Sequence, residues 1–137
     1  MAFDGRKDLV ALKNSKRERV ENISVLSEPG SKFVDLIRPV NGQGATVAME
    51  LEKICIDTDS TKTLRIVKSD GAPVNMARTN GALALLEKRL GRSLMWDPCE
   101  EHLLELCLRE LVSVLDGPPN GPENWTGPLG QQACNMY

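Results

Sequence analysis

Short apolar runs alternate with turn residues through the first forty positions. The runs fall at residues 1–3, 9–12, 22–26 and 33–37, separated by Asp4-Gly5, a charged stretch and Glu28-Pro29-Gly30. Runs of this length bounded by Gly, Pro and Asp read as strands joined by tight turns. A three-strand antiparallel meander is therefore expected. The first strand either begins at Met1 or joins residues 1–3 to 9–12 through a kink at Gly5; the pattern fits both.

After Pro39-Val40-Asn41-Gly42 the period changes. Val47, Ala48, Leu51, Ile54 and Cys55 recur at helical spacing, with Glu50, Glu52 and Lys53 on the opposite face. This predicts an amphipathic helix. Residues 64–67 form a short apolar run that ends in Lys68-Ser69-Asp70-Gly71, the profile of a buried strand entering a loop, which puts Asp70 at a strand's C-terminal end. In the second predicted helix Thr79 or Asn80 serves as cap, Leu83, Leu86 and Leu90 line the buried face, and Gly91 supplies a left-handed stop. Residues 94–96 suit one more strand. Asp97-Pro98-Cys99-Glu100 combines an acidic cap, proline at the first helical position and a capping-box glutamate, so a third helix is expected to run to Leu115. Its stripe of Leu104, Cys107, Leu108, Leu111 and Leu115 reads as core, or alternatively as a dimer seam. Residues 118–137 hold four of the eight prolines and little apolar content, as expected of a loosely docked tail.

Composition narrows the functional classes. A chain of 137 residues with 41% hydrophobic content suffices for one small core. Basic and acidic side chains number 17 and 19, so no global field draws the chain to nucleic acid or to an anionic membrane. Lys13, Lys16, Arg17 and Arg19 form its one basic cluster, either a solvated hairpin or a local phosphate contact. Asp4, Arg6, Lys7 and Asp8 interrupt any leader-like run and no stretch spans a bilayer, so a soluble, intracellular protein of nucleus or cytoplasm is expected. Cys55, Cys99, Cys107 and Cys134 lack a CxxC pair, which fits reduced thiols. Aromatic content of 4% leaves little for base stacking.

The predicted order is βββαβαβα. Within it lie Asp70-Gly71-Ala72-Pro73-Val74-Asn75, a helix closing on Leu90-Gly91-Arg92, Cys99-x-x-His102, and Leu115-Asp116-Gly117, with Asn120-Gly121-Pro122 and Thr126-Gly127-Pro128 in the tail. These motifs, with Phe3-Asp4-Gly5 and Ser27-Glu28-Pro29-Gly30 upstream, resemble a group of transposable-element-derived proteins related at a distance to the hAT transposase superfamily. The resemblance runs over nearly the whole chain and is densest at residues 70–117. It implies a partial RNase H-like (DDE/D) core at residues 1–117, α/β in class, with a short mixed sheet and three helices, followed by a Pro/Gly-rich tail at 118–137. DNA is the partner it implies; self-association through exposed apolar surface is a further expectation.

Transposases of this fold cleave DNA with divalent metal ions held by three carboxylates. Hard oxygen ligands suit Mg²⁺ or Mn²⁺, and two ions about 4 Å apart stabilise the attacking and leaving oxygens. The resemblance assigns the first acid to Asp4 and the second to Asp70, whereas an ordinary Asp-Gly turn would also explain either position. In the superfamily the third acid follows after a long insertion, for which the segment from Asp70 to Tyr137 leaves little room. Glu100, Glu101, Glu105 and Glu110 lie on the last helix, where glutamates are ordinarily solvated. Cys99 and His102 share a helix face if both are helical and could supply half of a Zn²⁺ site, though packing of the helix start is the simpler role. Three departures from the group stand out: Asp97-Pro98 in place of an apolar strand end, Cys107 in place of proline, and Glu110 in place of histidine. The expected function is a transposase-derived domain without its own catalysis. Its alternatives are a metal-dependent nuclease that uses Asp4, Asp70 and one helix glutamate, and a Zn-stabilised interaction module.

Overall fold

The computed structural model describes residues 1–11, 17–117 and 127–135. Two compact units divide the chain, Met1–Cys99 and Glu100–Tyr137. The first contains β1 (Ala2–Ala11), β2 (Arg17–Ser27), β3 (Lys32–Ile37), α1 (Gly44–Asp57), β4 (Ile66–Ser69), α2 (Pro73–Met76), α3 (Ala82–Leu90) and β5 (Met95–Pro98); the second contains α4 (Glu100–Asp116) and α5 (Pro128–Cys134). The class is mixed α/β, with a five-stranded mixed sheet of order β3-β2-β1-β4-β5. β1, β2 and β3 pair antiparallel, while β4 runs parallel to both β1 and β5.

The predicted meander is present, and its first strand is the merged form. Pairing from Ala2↔Leu26 to Ala11↔Arg17 is unbroken, and Gly5 lies opposite Ile23 without a kink. The β2–β3 turn closes through Glu28, whose carboxylate accepts the Ser31 N–H at 3.0 Å and the Ser31 hydroxyl at 2.9 Å. Those bonds favour the ionised form and hold the Glu28 carboxyl below its ordinary pKa. Gly30 at φ 103° supplies the left-handed backbone that a side chain would resist.

One face of this sheet is covered. Side chains alternate across a strand, and Phe3, Ile23, Val25 and Val67 point to the face where α1 and α3 bury Val47, Leu51, Ile54, Leu83 and Leu86 in a single cluster. Leu51, Leu83 and Leu86 are fully buried, each stabilising the fold by about 2 kcal/mol. The apolar period of α1 is the predicted one, and Gly91 ends α3 in the left-handed conformation at φ 65° as expected.

Other expectations shift. The described residues hold five helices rather than three. Pro73 at the first helical position starts the single turn of α2, and Pro128 does the same for α5 inside the presumed tail. The N-cap of α3 is Gly81, not Thr79 or Asn80: a Cβ there would fall 2.5 Å from Ala77 N and 2.7 Å from Asn75 O, a space only glycine fits. β4 begins at Ile66 rather than Leu64. α4 begins at Glu100, because Asp97 and Pro98 pair with Lys68 and Ser69 as the end of β5. Proline is tolerated there because β5 is an edge strand. The α4 stripe is not core, since Leu104, Leu108, Leu111 and Leu115 are all exposed.

Candidate functional site: the ends of β1 and β4

Ala2 on β1 pairs in parallel with Lys68 on β4. Asp4 is the third residue of β1, and Asp70 is the first residue after β4, each two positions past that pair. Alternation puts Asp4 on the face opposite Phe3, away from the helix-covered core. Asp4 is exposed and lies opposite Ser24 on β2; Asp70 is half-buried.

The loop after β4 holds Asp70 in place. Ser69 beneath it is 1% exposed and donates its hydroxyl to the Asp70 carbonyl at 3.1 Å. Asn75 on α2 donates its side-chain amide to the Asp70 carboxylate at 2.5 Å. α2 exists to present that amide: Asn75 N–H and Met76 N–H both bond the Ala72 carbonyl, closing a turn that Pro73 begins. Behind α2, Gly44 and Gly81 allow close backbone approach of α1 and α3 to this segment. Asn75 was visible in the sequence as part of the Asp-Gly-x-x-Val-Asn motif, but its partner was not, because only the α2 turn brings the two side chains together.

The same sheet face continues in polar groups. Arg6 pairs with Asp8 at 2.8 Å, Asn22 donates to Asp8 at 2.8 Å, and Arg38 donates to Asn22 at 2.9 Å. This chain of contacts runs from Arg6 and Asp8 on β1 through Asn22 on β2 to Arg38. Arg6 is largely exposed, so its ion pair contributes little to stability.

Of the remaining candidates, Cys99 belongs to the first unit and His102 and the glutamates to the second. Cys99 closes the first unit, and its N–H extends the β4–β5 ladder by donating to the Ser69 carbonyl at 2.8 Å. His102, in the first turn of α4, has its Nδ1 4.0 Å from Glu105 Oε2 one turn along. Glu100, Glu101, Glu105 and Glu110 are all exposed on α4. Among the described residues no group of three or more His, Cys, Asp or Glu side chains is placed to hold a metal ion. Asp4 and Asp70 are hard oxygen donors of the type Mg²⁺ or Mn²⁺ takes. Of the basic cluster, Arg19 is exposed on β2, whereas Lys13 and Lys16 lie outside the described residues, as does the Asn120-Gly121-Pro122 motif.

No helix among the described residues is long and apolar enough to cross a membrane. No family model, no curated protein and no solved structure matches the chain.

Proposed function

We propose that the chain is a transposase-derived domain of RNase H-like topology whose metal-binding set is incomplete, leaving a module without DNA cleavage of its own. The observation that supports the reading is the parallel β1–β4 pairing at Ala2↔Lys68, two residues before Asp4 in β1 and two before Asp70 just past β4. Support comes also from the element order. With the single turn of α2 and the tail helix α5 set aside, it is βββαβαβα, with an antiparallel β1–β3 meander extended by parallel β4 and β5. One carboxylate oxygen of Asp70 is engaged by Asn75. DNA is the partner the motifs suggest, met through the Arg6–Asp8–Asn22–Arg38 face rather than through a basic groove.

The test is calorimetric titration of the folded chain with Mg²⁺ and Mn²⁺, run beside a plasmid-nicking assay and Asp4→Ala and Asp70→Ala variants. The expected result is binding no tighter than about 1 mM, which corresponds to roughly 4 kcal/mol, and no metal-dependent nicking. Cleavage that disappears in both variants would overturn the reading and establish a competent nuclease with a third ligand still to be located.

A further inference from the structure

We propose that the chain forms a dimer by exchanging α4, each copy laying this helix into a groove on the first unit of the other. Two separate features, one on each unit, support this, and neither depends on the proposed function.

The groove runs along the first unit between the β2–β3 turn and the start of β4, with a volume of about 900 Å³. Leu26, Phe33 and Ile66 give it apolar walls, and Lys32, Arg65 and Lys68 give it basic ones. Phe33 is 61% exposed and Ile66 46%. Glu28 and Asp97 also line it, but Glu28 is already engaged by Ser31.

The matching element is α4. Leu104, Leu108, Leu111 and Leu115 recur at three- and four-residue spacing along one face, Leu103, Val112 and Val114 widen that face, and all seven are exposed. At roughly 170 Å² for a free side chain of this size, they leave on the order of 700 Å² of apolar surface in water, close to the about 800 Å² per partner of a stable interface. An ordinary monomer seldom leaves more than about 300–600 Å² in one patch. Glu101, Glu105 and Glu110 lie along the margins of that face, while Asp116 accepts the Leu129 and Gly130 N–H groups of α5. An acidic amphipathic helix is the natural occupant of an apolar groove rimmed with lysine and arginine.

Connectivity favours a second copy as the source of that helix. Only Cys99 separates the last residue of β5 from the first of α4, whereas reversals from strand to helix ordinarily take about two to six residues. A hinge that short favours exchange of a terminal element between copies.

Sedimentation equilibrium of the full chain should give a dimer. Leu108→Glu with Leu111→Glu, and separately Phe33→Glu with Ile66→Glu, should each weaken dimerisation at least tenfold while circular dichroism stays unchanged. Mixing the helix variant with the groove variant should restore a heterodimer, because one intact helix still meets one intact groove. Should a variant fail to fold, a Phe33→Cys chain treated with a short bismaleimide supplies a second reading, with Phe33→Cys joined to Cys107 between two chains. A monomeric wild-type chain would overturn the proposal, as would a groove variant that stays dimeric, which would indicate a helix-to-helix seam, or a cross-link confined to one chain.

Discussion

Replacing Gly44 by alanine tests how the loop bearing Asn75 is held. Gly44 is the buried first residue of α1, and in a helix the change from glycine to alanine ordinarily stabilises by roughly 0.5–1 kcal/mol. Here the added Cβ would lie 2.6 Å from the Asn80 carbonyl oxygen, 2.8 Å from that of Val74 and 2.9 Å from the Ala82 nitrogen. All three are backbone atoms and cannot rotate aside. Overpacking of this kind costs about 1–3 kcal/mol, and three simultaneous contacts argue for the upper part of that range. The net effect should be a loss of about 1–2 kcal/mol, or roughly 5–10 °C in melting temperature for a domain this small. Thermal and urea unfolding followed by circular dichroism would measure it. Gly42→Ala is the control: its Cβ would meet only the end of the flexible Glu21 side chain, so that variant should melt within a degree or two of the parent. Equal or higher stability of Gly44→Ala would refute the close approach of α1 to the α2–α3 segment.

Three further predictions concern other parts of the first unit and the exposed helix. Cys55 is fully buried and its burial pushes the thiol pKa up, whereas Cys107 is exposed; iodoacetamide followed by peptide mapping should label Cys107 in the native protein and Cys55 only in urea. Because the folded state holds the Cys55 proton more tightly than the unfolded state does, stability should decline as pH rises above the unfolded thiol value of about 8.5, and Cys55→Ser should lessen that decline. Arg92 donates from Nε at 3.0 Å and Nη2 at 2.8 Å to the Thr61 carbonyl, and from Nη2 also to that of Leu64. Arg92→Ala strips these partly buried acceptors of their partner and should cost about 1–3 kcal/mol in urea unfolding; a loss under 0.5 kcal/mol would show that water replaces the guanidinium without penalty.

The features legible in the sequence were those set by local period and by single-residue stereochemistry. The spacing of Val47, Leu51, Ile54 and Cys55 defined α1 because a helix must turn one face inward, and Gly91 announced the end of α3 because only a left-handed residue closes that turn cheaply. The three-strand meander followed from alternating runs and turn residues in the same way. Asp70 at the end of a strand was equally readable. Asp4 was assigned through motif resemblance alone.

What tertiary structure decided was pairing, and pairing overrode local preference wherever the two conflicted. Asp97-Pro98 has the form of a helix start, yet the ladder to Lys68 and Ser69 draws both residues into β5 and moves the start of α4 to Glu100. Asn80 is a better cap by type than Gly81, but the backbone of Ala77 and Asn75 leaves space for no side chain. The α4 stripe had the period of a core helix, and period reports only that a face is apolar. Whether that face meets the chain's own core, another copy or water depends on contacts distant in sequence, which no local pattern encodes.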